Sequence, residues 1–192
     1  MKLLLFSGGI DSTAIAWIER PDRLLFIDYG QRPAPGERRA AEVISKAIGI
    51  RLETRQVSLQ SFGTGTLVGK ESAGPAPEFW PFRNQMLITL AAMIYATELP
   101  LEVLIGTVAT DVVHPDGRAN FLKAISRVLK VQGEYSVVAP AVHLSSHDLL
   151  RRAALPLDIL GWTFSCHTGE WACGQCRGCL KHNETKLAFG AA

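Results

Sequence analysis

Apolar residues along this chain follow two alternating periods. Leu3–Phe6 is a short unbroken apolar run closed by a Gly-rich turn, and Leu24–Ile27 is a second, stopped by Asp28-Tyr29-Gly30. Runs of this length between turn residues predict strands buried on both faces. Between them, Ser12–Arg20 reads as a helix. Pro35 and Gly36 precede a helical stretch, Glu37–Ile48, in which Ala40, Ala41, Val43, Ile44 and Ala47 recur at helical spacing. Gly49 is placed to cap that helix, and Arg51–Val57 alternates as a third strand. Farther on, the pattern predicts a helix over Pro81–Glu98 and a strand over Val103–Thr107. A loop over Ala109–Gly117, an amphipathic helix over Asn120–Val131 and a last strand over Val137–Ala141 follow. Ser146–Ala154 then opens with a good N-cap. Strands and helices alternating in this way argue for an α/β fold on an open parallel sheet.

Ser58–Glu78 breaks both periods. It is rich in Gly, Ser, Thr and Pro, and a segment this long without periodicity reads as a mobile lid or insertion. The 192 residues suit a single domain over 1–192, with no repeats or second-domain boundary. Twenty basic against 18 acidic residues leave +2, which makes no case for a nucleic-acid or membrane surface. The longest apolar stretch, Leu87–Ala96, is too short and interrupted to span a bilayer. Met1-Lys2 enters the first strand directly, with no signal-peptide pattern, so the cytoplasm is the expected compartment.

Two clusters carry chemistry. In Phe6-Ser7-Gly8-Gly9-Ile10-Asp11-Ser12 two glycines follow a strand and a hydroxyl residue opens the next helix. Glycines let the backbone approach a ligand closely, and free N–H groups at a helix N-terminus favour an anion such as pyrophosphate. The Ser7 and Ser12 hydroxyls add donors, and Asp11 is placed to hold Mg²⁺ against phosphates. The loop lacks the Lys of a Walker A motif and the third glycine of a dinucleotide fingerprint. A plain capped strand-to-helix turn is the structural alternative.

The second cluster is Cys166-x6-Cys173-x2-Cys176-x2-Cys179, which holds all four cysteines of the chain. Four thiolates complete a closed tetrahedral Zn²⁺ shell of the structural kind. An iron–sulfur cluster also fits four cysteines, and a disulfide pair is the alternative without metal. Gly174 and Gly178 allow backbone N–H groups to turn toward sulfur, and Lys181 and His182 are placed to soften the shell's negative charge.

Ser7-Gly8-Gly9-Ile10-Asp11-Ser12 resembles the pyrophosphate loop of the ATP pyrophosphatase (PP-loop) group, which includes asparagine, GMP and NAD synthetases and tRNA-thiolating enzymes. Joined to a C-terminal four-cysteine segment at about 162–182, it resembles the 7-cyano-7-deazaguanine synthase (QueC) family over nearly the whole chain. The likeness continues in Asp28-Tyr29-Gly30-Gln31-Arg32, Arg83-Asn84-Gln85-Met86-Leu87, Gly106–Asp111, Pro115-Asp116-Gly117-Arg118, Phe121, Lys123-Ala124 and Trp162-Thr163-Phe164-Ser165-Cys166.

The resemblance implies an adenine nucleotide alpha-hydrolase-like sheet with helices on both faces. It also implies ATP-dependent conversion of a deazaguanine acid to its nitrile, with ammonia as nitrogen source. The acid is adenylated and aminated to an amide; the amide is adenylated in turn and loses AMP. Phe6, Ser7, Gly8, Gly9, Ile10, Asp11, Ser12, Thr13, Ala14, Ile15 and Ala16 are the implied nucleotide contacts, with Asp28 and Tyr29 near adenosine. Ser7, Asp11, Ser12, Arg83 and Asp111 are the implied catalytic set. In it, Asp11 and Asp111 flank Mg²⁺, and Arg83 pairs with a carboxylate or phosphate. The chain departs from the family pattern at Pro33, Phe82, Ala109, Val113 and His114. Those changes motivate one alternative, an enzyme that stops at the amide or conjugates the acyl group to an amine on a protein or nucleic acid; a second, from another class, is a non-catalytic nucleotide-binding subunit, against which Asp11, Ser7 and Ser12 speak. An exposed apolar helix face is compatible with a homodimer.

Overall fold

A computed structural model of the chain describes residues 1–111 and 114–190; of the departures noted above, Val113 lies outside the described residues. The first strand, β1 (Lys2–Leu5), leads through the glycine turn into α1 (Ile10–Glu19). This helix starts two residues before the expected Ser12, because Gly9 is extended (φ −76°, ψ 165°) and turns the chain straight into it. Arg20 caps its far end in the left-handed conformation. Next come β2 (Arg23–Asp28) and α2 (Ala34–Ile48). Pro35 lies within the first turn of α2, where its missing N–H costs no bond. Gly49 caps α2 at φ 68°, as its position predicts.

After β3 (Leu52–Gln56), a long segment reaches α3 (Arg83–Ile94). That segment is anchored rather than loose. Its Leu67, Ala76 and Trp80 are buried, and Trp80 meets the Tyr29 ring edge-on at 5.1 Å between centroids. The helix α3 is shorter than the expected Pro81–Glu98, because Phe82 adopts a left-handed φ of 59° that helix cannot extend through. Then follow β4 (Leu101–Leu104), a 3-10 turn at Pro115–Gly117, α4 (Ala119–Lys130) and β5 (Tyr135–Val138), the strands sitting two residues earlier than predicted. The helix α5 (Ser146–Ala153) is capped by Ser145, whose hydroxyl accepts from the Asp148 N–H at 3.0 Å. Two helices had no clear periodicity in the sequence: α6 (Leu157–Gly161) and α7 (Arg177–Ala188).

The five strands form one parallel sheet in the order β3-β2-β1-β4-β5. Alternate side chains feed two cores, as the pleat requires. Leu4, Leu24 and Leu104 face α1, α2, α5 and α6. Leu3, Leu25 and Val103 face α3 and α4. Helices therefore cover both faces, as expected. The chain winds outward from β1 to β3 on one side and from β4 to β5 on the other. The C-terminal ends of β1 and β4 are thus the point where the winding reverses, and such crevices are where open α/β sheets bind ligands.

Candidate active site

A cavity of about 910 Å³ opens at that point, between the turn after β1, the loop after β4, the start of α3 and the inner face of α7. An open concavity of about 1020 Å³ at the opposite ends of the strands, by Met1, Pro100 and Gly133, gathers no comparable set of polar groups.

The turn after β1 forms the cavity floor. Gly8 has φ +73°, and a Cβ there would stand 2.7 Å from the Ala41 backbone nitrogen, so α2 packs where only glycine fits. The Phe164 N–H donates to the Gly8 carbonyl at 3.0 Å, tying the turn to the chain just before the cysteines. The Ser7 hydroxyl lies 3.4 Å from that of Ser12 and accepts from the Gly9 N–H at 3.3 Å. Phe6, Ser7, Gly9, Ile10, Asp11 and Ser12 all line the cavity. Ala14, Ile15 and Ala16 do not. Their side chains are fully buried in the core against α2 and α5, so the cavity-facing part of the implied nucleotide stretch ends in the first turn of α1. Asp28 likewise turns away: its Oδ1 accepts the Gly30 N–H at 3.0 Å and shapes its own loop, while Tyr29 reaches the cavity wall.

Asp11 and Asp111 come from opposite sides of the switch point and meet on one cation. Lys181 Nζ donates to Asp11 Oδ2 and to Asp111 Oδ1, both at 3.2 Å. Burial pushes the Asp11 carboxyl up from its ordinary value, with Lys181 pulling it back. For Lys181, burial works against the charge, but the two carboxylates outweigh it and hold the proton more tightly than usual. Asp11 Oδ1 is enclosed and has no hydrogen-bond partner among the described residues. Two carboxylates converging beside a helix N-terminus, one with an oxygen to spare, suit a divalent cation that arrives with phosphates.

Nothing local to Lys181 marks it as part of this site. Its expected role, softening the charge of the cysteine cluster, is corrected by the structure: the side chain faces the glycine turn. His182 does not serve that role either. Burial lowers its pKa to about 4, leaving a neutral ring with Nδ1 3.1 Å from the Ser165 hydroxyl.

The far half of the cavity is built around Arg83, at the first position of α3. Asp116 fixes that helix start by accepting the Asn84 N–H at 2.7 Å. The charge of Arg83 acts on Tyr29, Glu37, His114 and His167 alike, which places it centrally. Burial pushes Glu37 up to about 7, with the hydrogen bond from Gln31 (2.8 Å) and Arg83 opposing. His114 stacks on Phe79 at 5.9 Å, and burial keeps it and His167 below the usual histidine range. Glu78 is buried and accepts from Arg177 at 3.1 Å through Oε1; its Oε2 has no hydrogen-bond partner among the described residues and lies 4.0 Å from His167 Nδ1. Glu37, Glu78 and Arg177 were not singled out from sequence, and His114 stood out only as a departure from the family pattern. Only Glu37, an acid in a helix's first turn, carries a local signal, and that signal also reads as an ordinary helix start.

Behind this wall, the sulfurs of Cys166, Cys173, Cys176 and Cys179 all lie within 4.8 Å of one another. Cys173 and Cys179 are 4.0 Å apart, as are Cys166 and Cys176. A tetrahedral ion at ~2.3 Å from each thiolate spaces its sulfurs roughly 3.8 Å apart, so the four fit a metal such as zinc. The cysteines are unpaired, which disposes of the disulfide alternative. N–H groups of His167, Cys176 and Cys179 donate to sulfur at 3.3–3.4 Å, which stabilises thiolate charge. Gly178 serves a different purpose from the expected one: a Cβ there would run into the Ser165 carbonyl and the His167 ring. Arg39 of α2 holds the outer loop of the cluster, with its guanidinium 4.1 Å over the Trp171 ring.

Comparison with known proteins agrees with this geometry. The family described as "Queuosine biosynthesis protein QueC" matches residues 1–189. The 7-cyano-7-deazaguanine synthase 1 of Desulfitobacterium hafniense (strain Y51) is 31% identical over 95% of this chain and 89% of its own length. The 7-cyano-7-deazaguanine synthase of Azoarcus sp. (strain BH72) is 31% identical over 99% of this chain and 93% of its own. That of Methanoculleus marisnigri is 28% identical over 97% and 93%. No helix among the described residues is long and apolar enough to cross a membrane.

Proposed function

We propose that this chain, which belongs to the queuosine biosynthesis protein QueC family, is an ATP-dependent ligase that converts 7-carboxy-7-deazaguanine to 7-cyano-7-deazaguanine with ammonia. The observation that carries the reading is the meeting of Asp11 and Asp111 on Lys181, beside the glycine turn at the sheet's switch point.

The N–H groups at the start of α1 and the Ser7 and Ser12 hydroxyls hold the β- and γ-phosphates of ATP. A carboxylate oxygen of the substrate, oriented by Arg83, attacks the α-phosphorus; the bond to the bridging oxygen breaks and pyrophosphate leaves. Ammonia then adds to the acyl carbon, loses a proton and expels AMP, giving the amide. In the second round the amide oxygen attacks the α-phosphorus of a new ATP, pyrophosphate leaves and the nitrogen gives up one of its two protons. Loss of AMP and the remaining N–H proton leaves the nitrile. Each oxygen of the acid thus departs on an AMP. The carboxylates of Asp11 and Asp111 would hold Mg²⁺, which neutralises phosphate charge when bound. The four cysteines would hold Zn²⁺ as a structural ion, keeping α7 and its Lys181 against the phosphate turn.

The reading is tested by incubating the zinc-loaded protein with ATP, Mg²⁺, 7-carboxy-7-deazaguanine and ammonia, and following pyrophosphate and products by mass. Nitrile formation is the expected result. Amide or a conjugate without nitrile, or no pyrophosphate at all, overturns it.

A further inference from the structure

Lys181 holds a position that is unusual for a phosphate-binding cation. Its Nζ sits between two carboxylates, 3.2 Å from each. The three side chains are partly enclosed, at 39% exposure for Lys181, 20% for Asp11 and 33% for Asp111. Water therefore screens the contact less than it would on an open surface.

The three charges sum to about −1, so two carboxylates that would repel each other are held together by a tethered ammonium group. A divalent ion binding both carboxylates requires oxygens at roughly 2.1 Å and cannot share that space with an ammonium group. The lysine is covalently attached through α7, so its local concentration far exceeds that of dissolved Mg²⁺. Its four-carbon stem is flexible enough to swing the ammonium group from the carboxylates to an arriving phosphate oxygen.

Resting on the reading of Asp11 and Asp111 as the cation-binding pair, we propose that Lys181 is the built-in counter-cation of the nucleotide-free enzyme. It occupies the divalent cation's position until ATP supplies phosphate oxygens to receive it. The enzyme thereby takes up its divalent cation with the nucleotide and not before it. No covalent step is involved; one cation replaces another as the partner of the two carboxylates, and the displaced ammonium group gains phosphate.

The test needs neither the deazaguanine substrate nor turnover. Mn²⁺ binding to the zinc-loaded, nucleotide-free protein is measured by electron paramagnetic resonance, for the wild type and for Lys181→Met. Removing the tethered cation is expected to tighten Mn²⁺ binding at least tenfold. Adding Asp111→Asn to Lys181→Met is expected to abolish that gain. Equal Mn²⁺ affinity in the wild type and Lys181→Met overturns the proposal, as does a gain that survives Asp111→Asn.

Should Lys181→Met not fold, the wild type gives an independent reading. Its lysines are reductively methylated with ¹³C, and the Lys181 resonance is assigned by its loss in Lys181→Arg. That resonance should shift with a Mg²⁺ complex of a non-hydrolysable ATP analogue and stay in place with Mg²⁺ alone. A shift with Mg²⁺ alone overturns the proposal. Failure of nitrile synthesis with these binding results intact would discredit the substrate assignment and not the role of Lys181.

Discussion

The Arg177 guanidinium donates to Glu78 Oε1 at 3.1 Å, joining the first residue of the helix behind the cysteine cluster to the segment that precedes Trp80. Glu78 is buried and Arg177 about half exposed, so the arginine partly neutralises an acid that water cannot reach. Two walls of the cavity are thereby held in one arrangement.

Arg177→Ala leaves the Glu78 carboxylate enclosed without its hydrogen-bond donor, with only His167 Nδ1 near it at 4.0 Å. Removing one partner of a fully buried ion pair costs about 3–5 kcal/mol; with Arg177 half exposed, we expect about 1–2 kcal/mol. Glu78→Gln, which keeps an acceptor for Arg177, should cost less. Urea denaturation of the two variants checks this, and equal or reversed losses contradict it.

Asp11→Ala should reduce pyrophosphate release by a factor on the order of 100 or more, the scale seen when a group holding transition-state charge is lost. Zinc content should stay at the wild-type level, because Asp11 is not among the four sulfur ligands. Full activity in this variant removes Asp11 from the chemistry.

Loss of one thiolate opens the closed shell. In Cys176→Ala, bound zinc should fall well below one equivalent, and the melting temperature should drop by on the order of 10 °C, since metal binding is linked to folding. Elemental analysis and calorimetry decide the matter together: unchanged metal and unchanged melting would dismiss the site.

Glu37 gives a pH dependence whose sign follows from burial. Its folded-state pKa of about 7 lies above the ordinary 4.5, so the folded protein binds this proton more tightly than the unfolded chain. The stability it contributes is complete below about pH 4.5 and is lost as pH rises through about 7. The loss is on the order of 3 kcal/mol. In Glu37→Gln that loss should vanish, so the variant gains on the wild type above pH 7 and not below pH 4.5. Denaturation curves at pH 4.5 and 8 measure it, and parallel pH profiles would refute it.

Gly8→Ala forces a side chain into a left-handed turn and against α2. The expected cost is about 1–3 kcal/mol, with weaker ATP binding because the turn must move. Calorimetry with and without ATP reads both effects.

Much of this was legible in the sequence. Leu3–Phe6 and Leu24–Ile27 declared buried strands, Gly49 a helix end, and Ser7–Ser12 a tight glycine turn from strand into helix. Local pattern and local chemistry coincide there. What stayed hidden was long-range convergence: nothing near Lys181 indicates a partner 170 residues away at Asp11. Glu78 was hidden for the same reason, since it stands in a segment without period and its burial depends on Arg177. In the implied stretch through Ala16, the side chains beyond the first turn of α1 pack into the core, which no local pattern distinguishes from the cavity side. The helix α6 has only five residues, and α7, though twelve long, carries no continuous apolar stripe.

The bond from the Phe164 N–H to the Gly8 carbonyl, and that from Lys181 to Asp11, also set an order in time. During synthesis the glycine turn leaves the ribosome long before Phe164 and Lys181, the residues that fix and neutralise it. A nascent chain that has already paired β1 with β2 still lacks a finished nucleotide site until α7 emerges. Premature termination anywhere before Lys181 should therefore yield a sheet that cannot handle ATP, and the cell is spared a fragment that hydrolyses it to no purpose.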